Sequence, residues 1–510
     1  MTKTSIDSSL DNILVQLGDF GRYQIFVFGL VCIAVVLHSA VHVAYVFTAM
    51  DLDYRCEIPG CDSATPEYEP SWLINAVPYS GSTPKSATCM TKSTILPKAT
   101  IKPAKLKFSL REVDRGVHLL CTKALKRVFC KRFGRRVVLV WGMVLCAICG
   151  LIRTAMPTYE WFMVFEFLDA AFGSGTYICG FVLGVELVGP KKRVLTGVLA
   201  SSCYAVGEVF TAGSAWIVKS WRPLIYILYT PSFLLLAYLW ILPESIRWNL
   251  SKGRIEEAKK TLRTVAKVNG KELSDNALEK LAAADFDSQE NSPFRDALKS
   301  TKLMLRMVNC CFCWITCTFL FYGLTLNSVS LAAGNSYLDF ILTALVEIPA
   351  YVSCNLMLEV FGRKKSLCSS YLLTGVACIC FIFVPSDSHA GSLSIYLIGK
   401  FGATAAFTNL YVVTSEVFPT TMRHSFMGTC STFGRLGSMI APQTPLLAKL
   451  WSPLPLVSFA VMSVIAGLLS LLFPETLNIK LPDTIEEAEN ISKLPKASSE
   501  GEIEKDHIKY

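Results

Sequence analysis

Long apolar blocks alternate with short polar ones along almost the whole chain. Apolar runs of about 18 to 25 residues, enough for a helix to cross the hydrocarbon of a bilayer, begin near Ile25, Val137, Trp161, Val194, Leu224, Leu303, Tyr337, Leu367, Leu393, Ser425 and Leu454. They predict an all-α membrane protein with about 11 transmembrane helices. The polar stretches between them set the expected domains. Residues 1–24 form a cytoplasmic amino terminus without the apolar core of a signal peptide. Residues 25–242 form a first bundle, in which 51–130 is a polar, partly external loop region. Residues 243–302 form a cytoplasmic helical linker, 303–474 a six-helix second bundle, and 475–510 a disordered cytoplasmic tail. Within the linker, Ile255, Ala258, Leu262 and Val265 recur at helical spacing.

Composition agrees: 52% of the 510 residues are hydrophobic and 17% charged, too apolar a balance for a soluble chain of this length. The net charge of +9 does not point to nucleic acid, because the cations sit in short clusters between apolar runs. Lys131 to Arg136, Lys191 to Arg193, Arg247 to Lys302, Arg363 to Lys365 and the segment around Arg423 are separated by pairs of spans, as cytoplasmic loops require. Most of the 19 cysteines fall inside spans, as do Cys310, Cys311, Cys313 and Cys317, and read as small packing residues. Cys56, Cys61 and Cys89 lie in the polar loop, where bridges are permitted. Six scattered histidines offer no ligand spacing, so neither an enzyme, a metal site nor a cofactor is expected.

The chain also repeats itself. Phe133-Gly134-Arg135-Arg136 recurs as Phe361-Gly362-Arg363-Lys364, offset by 228 residues. Glu186, seven residues before Arg193, recurs as Glu416, seven before Arg423. Pro243-Glu244-Ser245 recurs as Pro474-Glu475-Thr476, offset by 231. Three pairs in the same order imply duplication of a six-span unit. Parallel six-span halves with a solute site between them near the midplane are the architecture of a major facilitator carrier. Arg135, Arg136, Glu186, Arg193, Arg363, Glu416 and Arg423 are therefore candidate gating residues, able to latch one state by ion pairs. The alternative is that the cations only fix topology.

Further motifs resemble one facilitator family, the organic cation, carnitine and organic anion transporters. They are Gly18-Asp19-Phe20-Gly21-Arg22-Tyr23-Gln24, Cys56 to Cys61, Arg247-Trp248 with Ser251-Lys252-Gly253-Arg254, Gly334-Asn335-Ser336-Tyr337-Leu338-Asp339-Phe340 and Val346-Glu347-Ile348-Pro349-Ala350-Tyr351. The resemblance implies alternating-access transport of a small organic ion across a membrane, most naturally the plasma membrane, with or without coupling to sodium or protons. A sugar-type facilitator shares only the Gly-Arg-Arg and Pro-Glu-Ser elements.

Ionisable groups inside spans are costly and mark candidate sites; Glu166, Asp169, Glu347 and Arg435 qualify. A guanidinium can hold a carboxylate bidentately, and the resemblance implies that an arginine at the Arg435 position goes with carnitine and anion carriers. Arg435 is thus either a contact for a cargo carboxylate or half of a buried ion pair with Glu347 or Asp339. Glu347 would suit an ammonium group. The resemblance also implies that Trp314, Phe321, Tyr322, Tyr177, Phe407 and Tyr411 line the cavity. The cargo could be a cation, an anion or a carnitine-like zwitterion.

One span is absent from the pattern. Shifting the apolar span Tyr337 to Leu358 back by the repeat offset gives Ser109 to Cys130, which holds Arg111, Glu112, Asp114, Arg115, Lys123, Lys126 and Arg127. Seven charges forbid ordinary insertion, each costing up to about 3.5 kcal/mol at the bilayer centre. The expected architecture is therefore a major facilitator fold whose first half lacks its second span. A non-transporting truncated form of a carrier is the corresponding alternative.

Overall fold

The computed structural model describes residues 3–48, 79–80, 83–84, 132–273 and 299–491, apart from 174, 190, 191, 331–334, 386, 387, 420, 421, 452, 478, 480, 481 and 483. Thr48–Ser109 is a unit by itself, in which Tyr79–Ser80 pairs antiparallel with Thr83–Pro84. The loop cysteines and the charged stretch Ser109 to Cys130 lie outside the described residues. Everything that follows concerns the other unit.

That unit is helical. A short helix α1 (Lys3–Gln16) precedes the first span, α2 (Arg22–Thr48). The first half continues with α3 (Arg135–Thr154), α4 (Glu160–Glu186), α5 (Arg193–Val218) and α6 (Trp221–Ile241). The linker contributes α7 (Ile246–Ser251) and α8 (Ile255–Asn269). The second half holds α9 (Thr301–Asn327), α10 (Ser336–Phe361), α11 (Arg363–Ile382), α12 (His389–Val417), α13 (Arg423–Ile440) and α14 (Leu454–Ser470). Eight of these are long and apolar enough to cross a membrane. Adding α12, α13 and the shorter apolar α14 fills every expected position. Each helix begins within four residues of the apolar run that predicted it, the difference being the polar first turn that hydropathy leaves out. Within α6 the backbone tightens to 3₁₀ geometry over Thr230–Ala237, next to Pro231, which has no N–H to give.

Each half has its own buried core. Val31, Val35, Leu139, Val140, Met143 and Leu183 pack together in the first half, and Leu10, Leu14 and Leu17 of the amino-terminal segment join them. The linker helix adds Ala258, Leu262 and Val265 to the same core. Trp314, Leu320, Tyr371, Leu410, Phe426 and Phe459 do the same in the second half. At the face opposite the basic clusters, here called the far face, Val43, Val46 and Ala212 of the first half share a buried cluster with Phe340 of the second. Phe47 sits between Tyr337 and Phe340, with ring centroids 5.7 and 5.1 Å away.

The tail departs from the sequence expectation at its start. Thr484 caps a short helix α15 (Ile485–Glu489), and Ala488 and Ile491 are buried. The Arg306 guanidinium donates to the carbonyls of Ala488 and Glu489. The Ser300 hydroxyl donates to Glu489 and Ile485 packs against the same core, so a few contacts hold a segment whose average composition is polar.

Candidate functional site

The repeated motifs build the same structure twice at the basic face. Gly134 and Gly362 start α3 and α11 with φ of +98° and +83°, a region where a β-carbon is strained. A β-carbon at Gly362 would also come within 2.6 Å of the Glu475 carboxylate. That carboxylate is there because it caps the helix: Glu475 accepts from the backbone N–H of Arg363 (2.8 Å) and Lys364 (3.2 Å). In the first half Glu244 accepts from Arg135 (2.8 Å) and Arg136 (3.1 Å). Cations in a first helical turn oppose the helix dipole, and the capping carboxylates offset them. Burial pushes the Glu244 carboxyl above its ordinary range, while the backbone N–H groups of Ser245, Arg135 and Arg136 pull it down.

The arginine side chains then reach sideways. Arg135 pairs with Glu186 at 3.2 Å and Arg363 with Glu416 at 3.0 Å. The Ser245 and Thr476 hydroxyls donate to the same two carboxylates. Arg136 donates to the Leu242 carbonyl at 3.1 Å. Five of the seven candidate gating residues thus lie in these two networks or beside them, each closed within its own half. Arg193 is drawn elsewhere, to Asp11 of α1, which it shares with Arg247 at 2.5 and 2.6 Å. Arg423 opens α13.

At mid-span, charge gathers where the halves meet. Glu347 of α10 and Lys400 of α12 form an ion pair at 2.8 Å with neither side chain exposed. The Lys400 ammonium also donates to the Thr325 hydroxyl at 2.6 Å and lies 3.6 Å from the centre of the Phe321 ring, whose negative face suits a cation. Tyr351 donates to the other Glu347 oxygen at 2.9 Å. From the first half, buried Glu208 of α5 comes within hydrogen-bonding reach of Glu347. Asp339 is paired with His389 at 3.2 Å. Glu166 and Asp169 are both held by Arg153, and Asp169 also accepts from Tyr229 at 2.7 Å. These two carboxylates belong to an ion cluster inside the first half.

Arg435 is left over. The two carboxylates proposed as its partners are occupied by Lys400 and His389, and among the described residues Arg435 has no ion pair of its own. It is half-buried on α13. Gly434 and Gly437 place it there. At Gly437 a β-carbon would collide with the Ile315 carbonyl, so glycine lets α13 lie directly on α9. The Thr318 hydroxyl closes that seam by donating to the Gly434 carbonyl. Around it Trp314, Phe321, Tyr322, Phe407 and Tyr411 form one continuous aromatic group, with the Trp314 and Tyr411 rings 4.6 Å apart and those of Phe321 and Phe407 5.2 Å apart. Trp314 is fixed by its indole N–H, which donates to Thr414 at 3.0 Å. Tyr177 belongs to a second group with Tyr204 and His38 in the first half. His42 and Tyr322, 6.4 Å apart, connect the two groups.

Known proteins share both the sequence and this architecture. The Major Facilitator Superfamily model matches residues 127–442 and 340–499. The chain is 30% identical over 536 residues to Solute carrier family 22 member 1 of Oryctolagus cuniculus, covering 96% of each. It is 29% identical over 523 residues to the Organic cation transporter protein of Drosophila melanogaster, covering 95% of each. The chain belongs to the organic cation transporter family of the major facilitator superfamily. Among solved structures, the inward open xylose transporter XylE from E. coli superposes with a TM-score of 0.64 at 16% identity, over 92% of this chain and 100% of that one, a likeness of fold. The carrier is accordingly a multi-pass membrane protein of a transporter family, not an enzyme.

Sequence reasoning missed several of the carrier's central residues. Lys400 and Glu208 are ionisable groups inside spans, and the cost of burying charge in a bilayer marks them as it marks Glu347 and Arg435. Tyr351 sits one helical turn after Glu347, so its role was legible from spacing. The His38, His42 and Tyr204 group carries no signal of that kind, because single aromatic residues in spans are usually packing or lipid-facing.

Proposed function

We propose that the carrier moves small organic ions bearing a carboxylate, as anions or carnitine-like zwitterions, by alternating access across the plasma membrane. The observation that carries this reading is the half-buried Arg435 guanidinium, which has no ion pair among the described residues, on α13 where the neighbouring Gly434 packs against Trp314. A half-buried cation of this kind wants a counter-ion, and a cargo carboxylate can supply one by two parallel hydrogen bonds. Glu347 is already neutralised by Lys400, which makes it a poor ammonium site. In this reading the basic face is cytoplasmic, and the Arg135–Glu186 and Arg363–Glu416 networks are latches that steady each half as it moves.

The test is uptake of labelled cations, anions and zwitterions by cells expressing the chain, compared with Arg435→Ala. Losing a charge-assisted hydrogen bond costs about 1.5 to 3 kcal/mol, roughly tenfold to a hundredfold in affinity for a carboxylate cargo. A pure cation should be little affected. Equal losses for every cargo would overturn the assignment.

A second reading rests on the charges between Ser109 and Cys130, where the repeat calls for an apolar span. It makes this chain a poor transporter and a fuller form the active one. Sequencing the transcript across Thr91 to Lys131 and comparing uptake by both forms tests it. Robust transport by this chain alone would reject it.

A further inference from the structure

We propose that Glu208 and Glu347 hold a single proton between the two halves, and that binding this proton closes the far face of the carrier. The inference rests on the alternating-access reading but on no particular cargo.

Charge and geometry at the half-to-half contact carry it. Glu208, Glu347 and Lys400 are at most 2% exposed. With both carboxylates ionised the trio has a net charge of −1, and an uncompensated buried charge costs several kcal/mol. Lys400 cannot serve both acids equally, because it is held against Glu347, the Thr325 hydroxyl and the Phe321 ring. Among the described residues, one oxygen of Glu208 is buried without a hydrogen-bond partner. Two carboxyl groups that face each other have only acceptors to offer, and a proton on one of them turns the repulsion into a hydrogen bond. The proton then leaves a neutral Glu208 beside an intact Glu347–Lys400 pair.

The position gives the proton its effect. Glu208 lies four residues before Ala212, which is buried against Phe340 in the far-face cluster, and Glu347 lies seven residues after Phe340. Losing the proton sets two carboxylates against each other on α5 and α10, the helices that meet there, and so pushes the far face open. Other titratable groups surround the pair. Tyr351 on α10, Tyr204 on α5, Tyr177 on α4, Tyr322 on α9 and Tyr45 on α2 face it or one another, but even the ordinary pKa of a tyrosine is far above neutral. His42 of α2, bonded to the Tyr204 hydroxyl at 2.9 Å and stacked on buried His38, is the rival sensor.

The experiment uses the full chain in lipid vesicles without cargo. Ala212→Cys places a small thiol in the far-face cluster, and a membrane-impermeant maleimide reaches it only when that face opens. Modification is read at that one peptide by mass spectrometry, so the native cysteines do not interfere. Dividing its rate by the rate in Ala212→Cys with Glu208→Gln cancels the thiol's own ionisation. Because closing binds one proton, the ratio should rise by up to about tenfold per pH unit through the titration. It should rise equally when His42→Gln is present in both chains. A ratio that stays constant with pH, or one that His42→Gln flattens, overturns the proposal. If Glu208→Gln does not fold, infrared spectra of the unaltered chain decide. A carbonyl band from a protonated carboxyl that shifts on deuteration and disappears as pH rises supports the proposal, and its absence rejects it.

Discussion

Replacing Lys400 with methionine keeps the length of the side chain and removes its charge, which makes it the sharpest probe of the mid-span ion pair. In the intact protein the ammonium is within 2.8 Å of Glu347 and both side chains are inaccessible to solvent. Lys400→Met would leave Glu347 with the Tyr351 hydroxyl as a donor and with Glu208 as a second acid beside it. Breaking a buried pair by removing one partner costs about 3 to 5 kcal/mol. Tyr351 and a shared proton soften the loss, so the lower end is expected, about 3 kcal/mol or a little over a hundredfold in the folding equilibrium. Adding Glu347→Gln removes the stranded charge. The double variant should recover most of the stability, giving a coupling energy of about 2 to 3 kcal/mol. Unfolding in mixed micelles of lipid and denaturing detergent, measured for the four members of the cycle, reads this directly. A loss below about 1 kcal/mol for Lys400→Met, or single losses that simply add, would refute the claim that the pair is buried and mutually dependent.

Three further outcomes are expected. Gly362→Ala forces a side chain into a positive φ and against Glu475, and should destabilise the second half by about 1 to 3 kcal/mol, measured in the same unfolding assay; Gly362→Ser should be no milder. Asp11→Asn removes the carboxylate shared by Arg193 and Arg247, so limited proteolysis should cut between α1 and α2 several times faster while the spans stay intact. Cysteines placed at Lys192 and Lys364 should resist an impermeant reagent applied outside intact cells, and their modification would invert the topology.

The spans were legible because crossing a bilayer demands length and apolarity, which local sequence displays whatever the tertiary contacts. The repeat was legible for a similar reason, since Gly134 and Gly362 answer a backbone demand that no other residue meets cheaply. What escaped notice depends on distant partners. Arg193 pairs with Asp11, 182 residues away, and no spacing rule connects them. Glu244 and Glu475 bind backbone N–H groups, whereas charge patterns in a sequence suggest side-chain partners. Arg435 was left between a cargo contact and an ion pair because its freedom is set by how Lys400 and His389 occupy the neighbouring acids. The tail misled because Ala488 and Ile491 vanish into a polar average.

The capping carboxylates of Glu244 and Glu475 have a bearing on ancestry. Each fastens a helix start to the end of its own half and borrows nothing from the other, so a lone half would already have possessed the whole fastening. An ancestral half could therefore have been a sturdy subunit that paired with a copy of itself before any gene joined them. What the fusion added was the freedom for the two copies to differ, and the acids that meet at mid-span, Glu208 from one and Glu347 from the other, are where that freedom was used.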